Sequence, residues 1–305
     1  MAFNPVELQK ITMNREESVK GQAPSLLPAD KKWKLVWNDE FEGNALNENN
    51  WDYRLFFWGH ESPTFTKEGV EVSDGTLKIH LVRKGDDFYS AHLQTGSLTF
   101  DKPVEPDVKS FYPFGEIKPP KFLHKYGYYE IRCRLPKHKG WHAAFWLQAP
   151  GIGSHPIPER AGVECDIMEN YRQHTDGKMI CGCGWGGYGK NRHWYGHYEF
   201  DYQETEDGWH YYGVDWSKDG YTFYTDGKLI GSQSSPECVV SDVEQFLLVS
   251  TECHGYHRHF TKKGGEGETT TQKKEWGNPV EDLFSACPDC FEIDFVRVYD
   301  AIEEA

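Results

Sequence analysis

Alternation between apolar and polar residues, with no lasting helical period, is the feature that most constrains how this chain can fold. Residues 126–135, YGYYEIRCRL, show it most clearly, because alternate side chains of a strand lie on opposite faces of a sheet. One face would carry the set Tyr129, Ile131, Cys133 and Leu135. The other face would carry the set Tyr128, Glu130, Arg132 and Arg134. This pattern predicts a half-buried antiparallel strand.

Further short segments of the same kind follow one another along the chain. They are WKLVWNDEF, VEVSDGTLKIHLV, WHAAFWLQ, GYTFYTDGKLIGS, EQFLLVSTE and CFEIDFVRVYD. Asp74-Gly75 and Asp226-Gly227 are dipeptides typical of two-residue hairpin turns. Many short strands, joined by loops rich in glycine, proline and aromatic residues, predict an all-β sandwich.

The length of 305 residues is compatible with a single all-β domain. Residues 1–32 are polar and are expected to form an arm or surface wrap, and residues 33–305 to form one β-sandwich domain. A chain of this length buries roughly three-quarters of its unfolded surface, so folding requires neither a metal nor a disulfide.

The charge and the apolar content exclude several partners. A formal net charge of −15, with no long basic run, argues against binding to nucleic acid. The chain lacks an apolar run of about 18 residues that would cross a membrane. The first 22 residues contain no apolar segment typical of a signal peptide, so either the protein stays inside the cell or a leader has been removed.

Cysteine spacing leaves the state of the thiols open. Four of the eight cysteines form close pairs, Cys181 with Cys183 and Cys287 with Cys290. These four could bind zinc, but the spacing is loose, and a local disulfide in CPDC or plain thiols are the preferred alternatives. Cys133, Cys165 and Ile167 fall at inward strand positions and are expected to pack in the core.

Three carboxylates are crowded into VECDIMEN, residues 163–170: Glu164, Asp166 and Glu169. On a regular strand Glu164 and Asp166 share one face, whereas Glu169 points to the other. A β-bulge with one extra residue at Met168 would return Glu169 to the first face. Bulges often occur where an active site needs a side chain to be redirected.

Close carboxylates suit acid–base chemistry. They repel one another, so at least one should be protonated near neutral pH while another is charged. Retaining glycosidases use such a pair at a separation of about 5–5.5 Å. The alternative is a charged strand edge that faces solvent or binds Ca²⁺. The 11 Trp, 17 Tyr and 18 Phe, many beside glycine or histidine, favour a surface that stacks on sugars, although a large core would explain them equally.

ECDIME, residues 164–169, resembles the E-x-D-x-x-E signature of glycoside hydrolase family 16. Further blocks resemble the family in the same order, namely LVWNDEFEG, VSDGTLKI, YGYYEIRCRLPKHKGWHAAFWLQ, DGWHYYGVDWSKDGYTFYTDGKLI and FEIDFVRVYD. Together they extend over roughly residues 33–300. The resemblance implies a jelly-roll sandwich of two curved antiparallel sheets, whose concave face forms an open cleft for a polysaccharide.

The resemblance also implies roles for the three acids. Glu164 would be the nucleophile, Glu169 the general acid/base, and Asp166 a hydrogen-bonding partner of the nucleophile. Hydrolysis would proceed by double displacement with retention, without a required cofactor. Family analogy suggests a secreted, monomeric enzyme.

Three tryptophans are expected to line the cleft. Trp146 resembles the family tryptophan that lies beneath the bound sugar, and Trp141 and Trp185 would lie beside it. The alternative for each is a place in the core.

A structural calcium ion is a further implication of the resemblance. The matching positions are Glu40, Gly75 and Asp294, and two of the three ligands would be backbone carbonyls.

Two positions depart from the family pattern, and the first of them weakens the assignment of β-1,3-glucan as the substrate. Glu159 stands where laminarinase-like members often carry a tryptophan, and Gly184 where a histidine often precedes W-G-G-Y-G. His193 or another histidine could compensate. Arg172, Arg192 and His193 would form a positive subsite for sulfated or acidic galactans, or they are ordinary surface cations.

Sequence reasoning therefore predicts a retaining endo-β-glycanase that acts on β-glucan or β-galactan. A non-catalytic sugar-binding sandwich is the first alternative, because a fold alone does not confer activity. The second is an intracellular hydrolase of imported oligosaccharides.

Overall fold

The computed structural model describes residues 3–57, 60–61, 65–85, 87–96, 119–137, 142–153, 155–170, 177–187, 191–252 and 289–302. The first strands are β1 (Asn4–Pro5), β2 (Gln9–Lys10), β3 (Met13–Glu16), β4 (Ser25–Pro28), β5 (Lys32–Asp39), β6 (Asp52–Tyr53), β7 (Phe56–Phe57) and β8 (His60–Glu61). The next are β9 (Val70–Ser73), β10 (Thr76–His80), β11 (Val82–Lys84), β12 (Asp87–Tyr89), β13 (His92–Gln94), β14 (Gly127–Arg134) and β15 (His142–Gln148).

A short helix, α1 (Pro158–Ala161), precedes the remaining strands. These are β16 (Glu164–Asn170), β17 (Lys178–Trp185), β18 (His193–Asp201), β19 (His210–Ser217), β20 (Gly220–Thr225), β21 (Lys228–Gln233), β22 (Phe246–Glu252) and β23 (Cys290–Ile302). Among the described residues, no helix is long and apolar enough to span a membrane.

Two large sheets contain most of these strands. The eight-stranded sheet has the order β1-β18-β17-β16-β15-β22-β13-β6. The nine-stranded sheet has the order β2-β21-β20-β19-β14-β23-β10-β9, and β5 also pairs with β23. Apart from the parallel pair β1–β18, neighbouring strands are antiparallel. The predicted all-β jelly-roll sandwich of two antiparallel sheets is confirmed.

Both predicted Asp-Gly turns close tight hairpins. Asp74 and Gly75 join β9 to β10, and both have positive φ angles, of 55° and 73°. Asp226 and Gly227 join β20 to β21 with φ angles of 48° and 74°. Such angles are those of the two-residue turn that matches the twist of paired strands.

The core lies between the two sheets. The inward set predicted for β14 is buried there: Tyr129, Ile131, Cys133 and Leu135. From the eight-stranded sheet it meets side chains that include Phe145, Cys165 and Ile167. The predicted inward positions of Cys165 and Ile167 are therefore confirmed.

The outer face of β14 differs from the half-buried prediction. Tyr128 and Glu130 are almost completely buried, because the β3–β4 hairpin covers this face of the nine-stranded sheet. Leu26 donates its backbone N–H to Glu130 at 2.8 Å and accepts a hydrogen bond from the Tyr128 hydroxyl at 3.0 Å. The N-terminal segment thus adds a second layer, while the division of the chain at residue 32 stays a prediction.

The described cysteines are free thiols, and those of the two close pairs lie in different sheets. Cys181 and Cys183 lie within the core on β17, whereas Cys290 begins β23 in the nine-stranded sheet. Burial raises the pKa of both core thiols well above its usual value, so they pack as small apolar groups rather than as thiolate ligands. The proposed partner Cys287 lies outside the described residues.

Candidate active site

A β-bulge interrupts β16 between the first two acids and the third. On one side, β15 pairs Trp146 with Asp166 and Phe145 with Met168, which leaves Ile167 without a partner. On the other side, β17 also shifts its register between Asp166 and Glu169. The predicted bulge is confirmed, and the extra residue relative to β15 is Ile167 rather than Met168.

The bulge brings the three acids to one face. Ile167 and Met168 are completely buried between the sheets. Glu164, Asp166 and Glu169 lie on the opposite face of the eight-stranded sheet, where 5 to 8% of each residue stays exposed. Ala144, Trp146 and Gln148 of β15 are their register partners and share this carboxylate face.

Glu164 lies among donor groups of strand β15 and of two loops. Gln148 Nε2 donates to Glu164 Oε2 at 3.4 Å, and Arg54 Nη1 donates to Gln148 Oε1 at 3.1 Å. Burial raises the pKa of Glu164 to about 8, although the charges of Arg192 and Arg54 oppose the shift and Glu169 adds to it. Burial also lowers the pKa of Arg54 to about 10, against the effect of Glu164.

Asp166 holds its proton more strongly than an ordinary aspartate. Burial raises its pKa well above the usual value, and the charges of Glu169 and Glu164 raise it further. At neutral pH the cluster therefore carries at least one proton, as the crowding of like charges predicts.

Glu169 is contacted by a histidine at the start of β15. His142 Nε2 lies 3.3 Å from Glu169 Oε1. Burial lowers the pKa of His142, but the hydrogen bond and the charge of Glu169, together with Glu252, outweigh burial and raise it overall. The residue beside Glu169 is thus a histidine whose raised pKa favours its protonated form.

A second histidine reaches the acids from β18. His197 Nε2 lies 3.7 Å from Asp166 Oδ2, and its Nδ1 lies 3.8 Å from Glu169 Oε2. β17 lies between β18 and β16, and Gly182 of β17 leaves the space that the imidazole fills. A Cβ at Gly182 would lie 2.5 Å from His197 Cδ2.

Gly184 is a second residue of β17 that has no side chain, and the Trp194 ring fills the space beside it. A Cβ at Gly184 would lie 2.5 Å from the Trp194 ring. The guanidinium of Arg192 lies 4.1 Å from the centre of that ring. Gly184 thus stands where the resemblance implies a histidine, and the Trp194 ring occupies the space beside it.

The aromatic and cationic residues predicted to bind substrate are only partly brought together. Trp146 lies on the carboxylate face, where its Nε1 donates to Ser250 Oγ at 3.0 Å and Arg54 lies 5.5 Å from its ring. Trp185 instead packs against the core and stacks on the exposed His193, with 6.0 Å between the ring centres. Trp141 and Arg172 fall outside the described residues.

The predicted calcium positions meet near one point of β23. Asp39 pairs with Val296 and Leu77 with Ile293, which brings Glu40, Gly75 and Asp294 to neighbouring stretches of chain. The side-chain carboxylates are occupied, however. Arg297 donates to Glu40 at 2.9 and 2.7 Å. Arg132 donates to Asp294 at 2.6 Å. The structural calcium stays a prediction.

Two of the acids and a histidine also have the residue types of a metal site. Asp166, Glu169 and His197 are the group of described residues whose polar atoms come within 4.8 Å of one another. Each of the three offers one ligand atom, and the two imidazole nitrogens of His197 face different carboxylates.

Some of these neighbours could have been found in the sequence and others could not. His142 and Gln148 alternate with Trp146 in HAAFWLQ, so they belong to the same face. The two glycines of CGCG, Gly182 and Gly184, indicate that no side chains project from that face of β17. No local pattern indicated Arg54 or His197, because their approach depends on which strands are neighbours.

An all-β sandwich with buried carboxylates at a bulge in the middle of one sheet, beside arginine, glutamine and histidine, has the form of a glycoside hydrolase. Sequence comparison agrees. The family described as Glycosyl hydrolases family 16 matches residues 63–241, which is more than half of the chain. The chain therefore belongs to glycoside hydrolase family 16 and is a glycoside hydrolase.

Named relatives show how far the similarity extends. A segment of 213 residues is 30% identical to a glucan endo-1,3-beta-glucosidase of Cryptopygus antarcticus, covering 66% of this chain and 70% of that protein. Glucan endo-1,3-beta-glucosidase A1 of Niallia circulans is 27% identical over 66% of this chain, which matches only 29% of that longer protein. The catalytic domain of an endo-1,3-beta-glucanase (laminarinase) from Thermotoga petrophila has the same fold, with a TM-score of 0.62 and 23% identity over 90% of this chain and all of that chain.

Proposed function

We propose that this enzyme is a retaining endo-β-glucanase that cleaves β-1,3 linkages within a polysaccharide. The observation that carries the proposal is the bulge that gathers Glu164, Asp166 and Glu169 on one face. The named relatives are β-1,3-glucanases by description, which favours β-glucan over the β-galactan that the sequence left open. Glu159, which replaces the laminarinase tryptophan, remains a departure in the region leading to the acids.

Glu164 is the nucleophile in this proposal. Its carboxylate attacks the anomeric carbon as the glycosidic C–O bond breaks, which forms a glycosyl ester. Burial raises the pKa of Glu164 to about 8, the charges of Arg192 and Arg54 oppose that rise, and Gln148 orients one of its oxygens. Arg54 in turn fixes Gln148, so the nucleophile is held by a chain of side chains.

Glu169 is the general acid and then the general base. It donates its proton to the leaving oxygen, and in the second step it takes a proton from the water that cleaves the ester. His142 lies 3.3 Å from its carboxylate and orients it. Asp166, between the two glutamates in sequence, holds a proton and limits the charge of the cluster.

The stereochemistry of the first product tests the proposal. Laminarin, mixed-linkage glucan, agarose, porphyran and carrageenan are digested in parallel, and the anomer released is followed by proton NMR. We expect the β-anomer of glucan oligosaccharides to appear first. Initial release of the α-anomer would contradict retention, and cleavage of galactans alone would contradict the substrate.

The Glu169→Ala variant tests the division of roles. Its rate on natural glucan should fall by about 10²–10⁴-fold, because the leaving oxygen loses its proton donor. Azide, or a substrate with a good leaving group, should restore part of the rate. Failure of both to restore any activity would contradict the acid/base role.

A further inference from the structure

The segment of β18 that faces Gly182 is irregular in the same way as β16. β17 pairs Cys181 with Tyr198 and Cys183 with Tyr195, so Gly196 and His197 together oppose the single residue Gly182. This second bulge turns His197 away from the core side, where Tyr195 and Tyr198 pack. Two adjacent bulges therefore aim an imidazole and a carboxylate at each other.

The surroundings of His197 favour a neutral imidazole. The residue is 3% exposed, and neither ring nitrogen has a partner within hydrogen-bond distance. Burial lowers its pKa, Glu169 opposes this effect, and Arg192 adds to it. Trp194 packs edge-on against the ring at 4.6 Å. The charged or titratable groups that face the ring are Asp166 and Glu169 of β16 and Arg192 beside its own strand.

A neutral imidazole between two acids imposes a relation between them. One of its nitrogens carries a proton and the other accepts one, so it can bond both acids only when one acid is protonated and the other is ionised. The contacts of 3.7 and 3.8 Å are longer than hydrogen bonds, as is frequent in a substrate-free active site. Small side-chain shifts would close them.

We propose that His197 is a positioning residue that transfers one proton between Asp166 and Glu169, and thereby makes Glu169 the acid when substrate binds. In the transfer, the Asp166 O–H bond breaks as Nε2–H forms, and the Nδ1–H bond breaks as the Glu169 O–H bond forms. Charge and protons balance, because the imidazole only changes tautomer. The role rests on the proposed function, in which Glu169 donates the proton.

The His197→Ala variant gives the first test. Its kcat on laminarin should fall by about 10- to 100-fold with KM little changed, because the acid is left without its proton partner. The pH dependence of kcat should also change, on the side of the profile where Glu169 loses its proton. Added imidazole should restore kcat, whereas 1-methylimidazole, which cannot exchange tautomers, should not. Equal effects of the two compounds, no effect of either, or undiminished kcat would overturn the proposal.

The Gly182→Ala variant keeps His197 but displaces it, because the new Cβ would lie 2.5 Å from Cδ2. It should reproduce the altered pH profile of His197→Ala, and wild-type kinetics would count against the proposal. His210→Gln is the matched control. His210 is a buried histidine of the nine-stranded sheet that contacts Asp226 and Tyr202, and its loss should leave the pH profile unchanged.

A measurement without substrate separates this proposal from the proposed function. Nitrogen-15 NMR of the wild-type enzyme should show His197 neutral at mildly acidic pH, with a tautomer ratio that changes in Asp166→Asn. A fully protonated His197, or a tautomer ratio that is the same in the wild type and in Asp166→Asn, would overturn the proton transfer whatever the substrate is. If laminarin is not cleaved but the NMR result is as expected, the proposed function fails and the proton coupling stands.

Discussion

Two regions of this enzyme bury acidic side chains, one in each sheet. They differ in whether a buried carboxylate is paired with an opposite charge. In the outer layer of the nine-stranded sheet, Arg297 binds Glu40 through two hydrogen bonds of 2.7 and 2.9 Å and also donates to Ser25 at 2.8 Å. On the carboxylate face, Glu164 and Glu169 have contacts with Gln148 and His142 of 3.4 and 3.3 Å.

The difference separates a structural site from a chemical one. In the outer layer, a guanidinium and a carboxylate neutralise each other, and the N-terminal segment closes over them. On the carboxylate face, three acids share a small space, and burial together with the neighbouring acidic charges raises the pKa of Glu164 and of Asp166. Buried glutamates with a pKa of about 8 occur in both regions, Glu130 in the first and Glu164 in the second. A raised pKa alone therefore does not identify the catalytic acid.

The matched pair Glu164→Gln and Glu130→Gln gives the largest expected contrast. Loss of the nucleophile should lower kcat/KM by about 10⁴-fold or more, while the amide keeps the shape of the site and the binding of oligosaccharide. Glu130→Gln should keep kcat/KM within about 2-fold, because the residue lies on the other sheet, away from the carboxylate face. Hydrolysis rates and calorimetric binding measure both. Equal losses in the two variants would erase the distinction between the regions.

Arg297→Met should produce the largest loss of stability without loss of chemistry. It leaves the Glu40 carboxylate buried without its guanidinium, which typically costs about 3–5 kcal/mol of unfolding free energy. Urea denaturation measures the loss, and kcat of the folded variant should stay near the wild-type value.

The double variant Arg297→Met with Glu40→Leu is the control for Arg297→Met, and it should recover much of the stability because no buried charge is left unpaired. A loss below about 1 kcal/mol in the single variant would show that the ion pair is not structural. A large loss of kcat in the folded single variant would instead connect the two regions.

Local patterns were sufficient to predict the parts of the fold that depend on neighbouring residues. Alternation in β14 gave its inward face, the Asp-Gly pairs gave two hairpins, and the broken alternation of Glu164, Asp166 and Glu169 gave the bulge. In each case the side-chain direction follows from spacing along one strand.

What could not be predicted depends on contacts between segments far apart in sequence. The alternation in β14 predicts that Glu130 faces outward. It is buried because Leu26, 104 residues earlier in the chain, packs over that face and donates its N–H to the carboxylate. His197 reaches Asp166 because β18 lies two strands from β16 and the strand between them carries a glycine. Sheet order and layer order have no signature in a local window.

The dependence of stability on pH should be the smallest of the three contrasts, because both regions contribute to it with the same sign. Burial raises the folded-state pKa of Glu130 and Glu164 from the ordinary range to about 8. Between those values the folded protein binds more protons than the unfolded chain, so its unfolding free energy falls as pH rises from about 5 to about 8. The lowered pKa of His197 acts in the opposite direction, at lower pH.

Urea denaturation across this pH interval measures the slope, and Glu130→Gln and Glu164→Gln should each make it shallower. The pH profile of kcat/KM in Glu130→Gln should nevertheless match that of the wild type, because its proton does not take part in the reaction. Stability that rises with pH would contradict the burial of both acids. A shifted kinetic profile in Glu130→Gln would show that the outer layer takes part in catalysis, and the two regions would then form a single electrostatic unit.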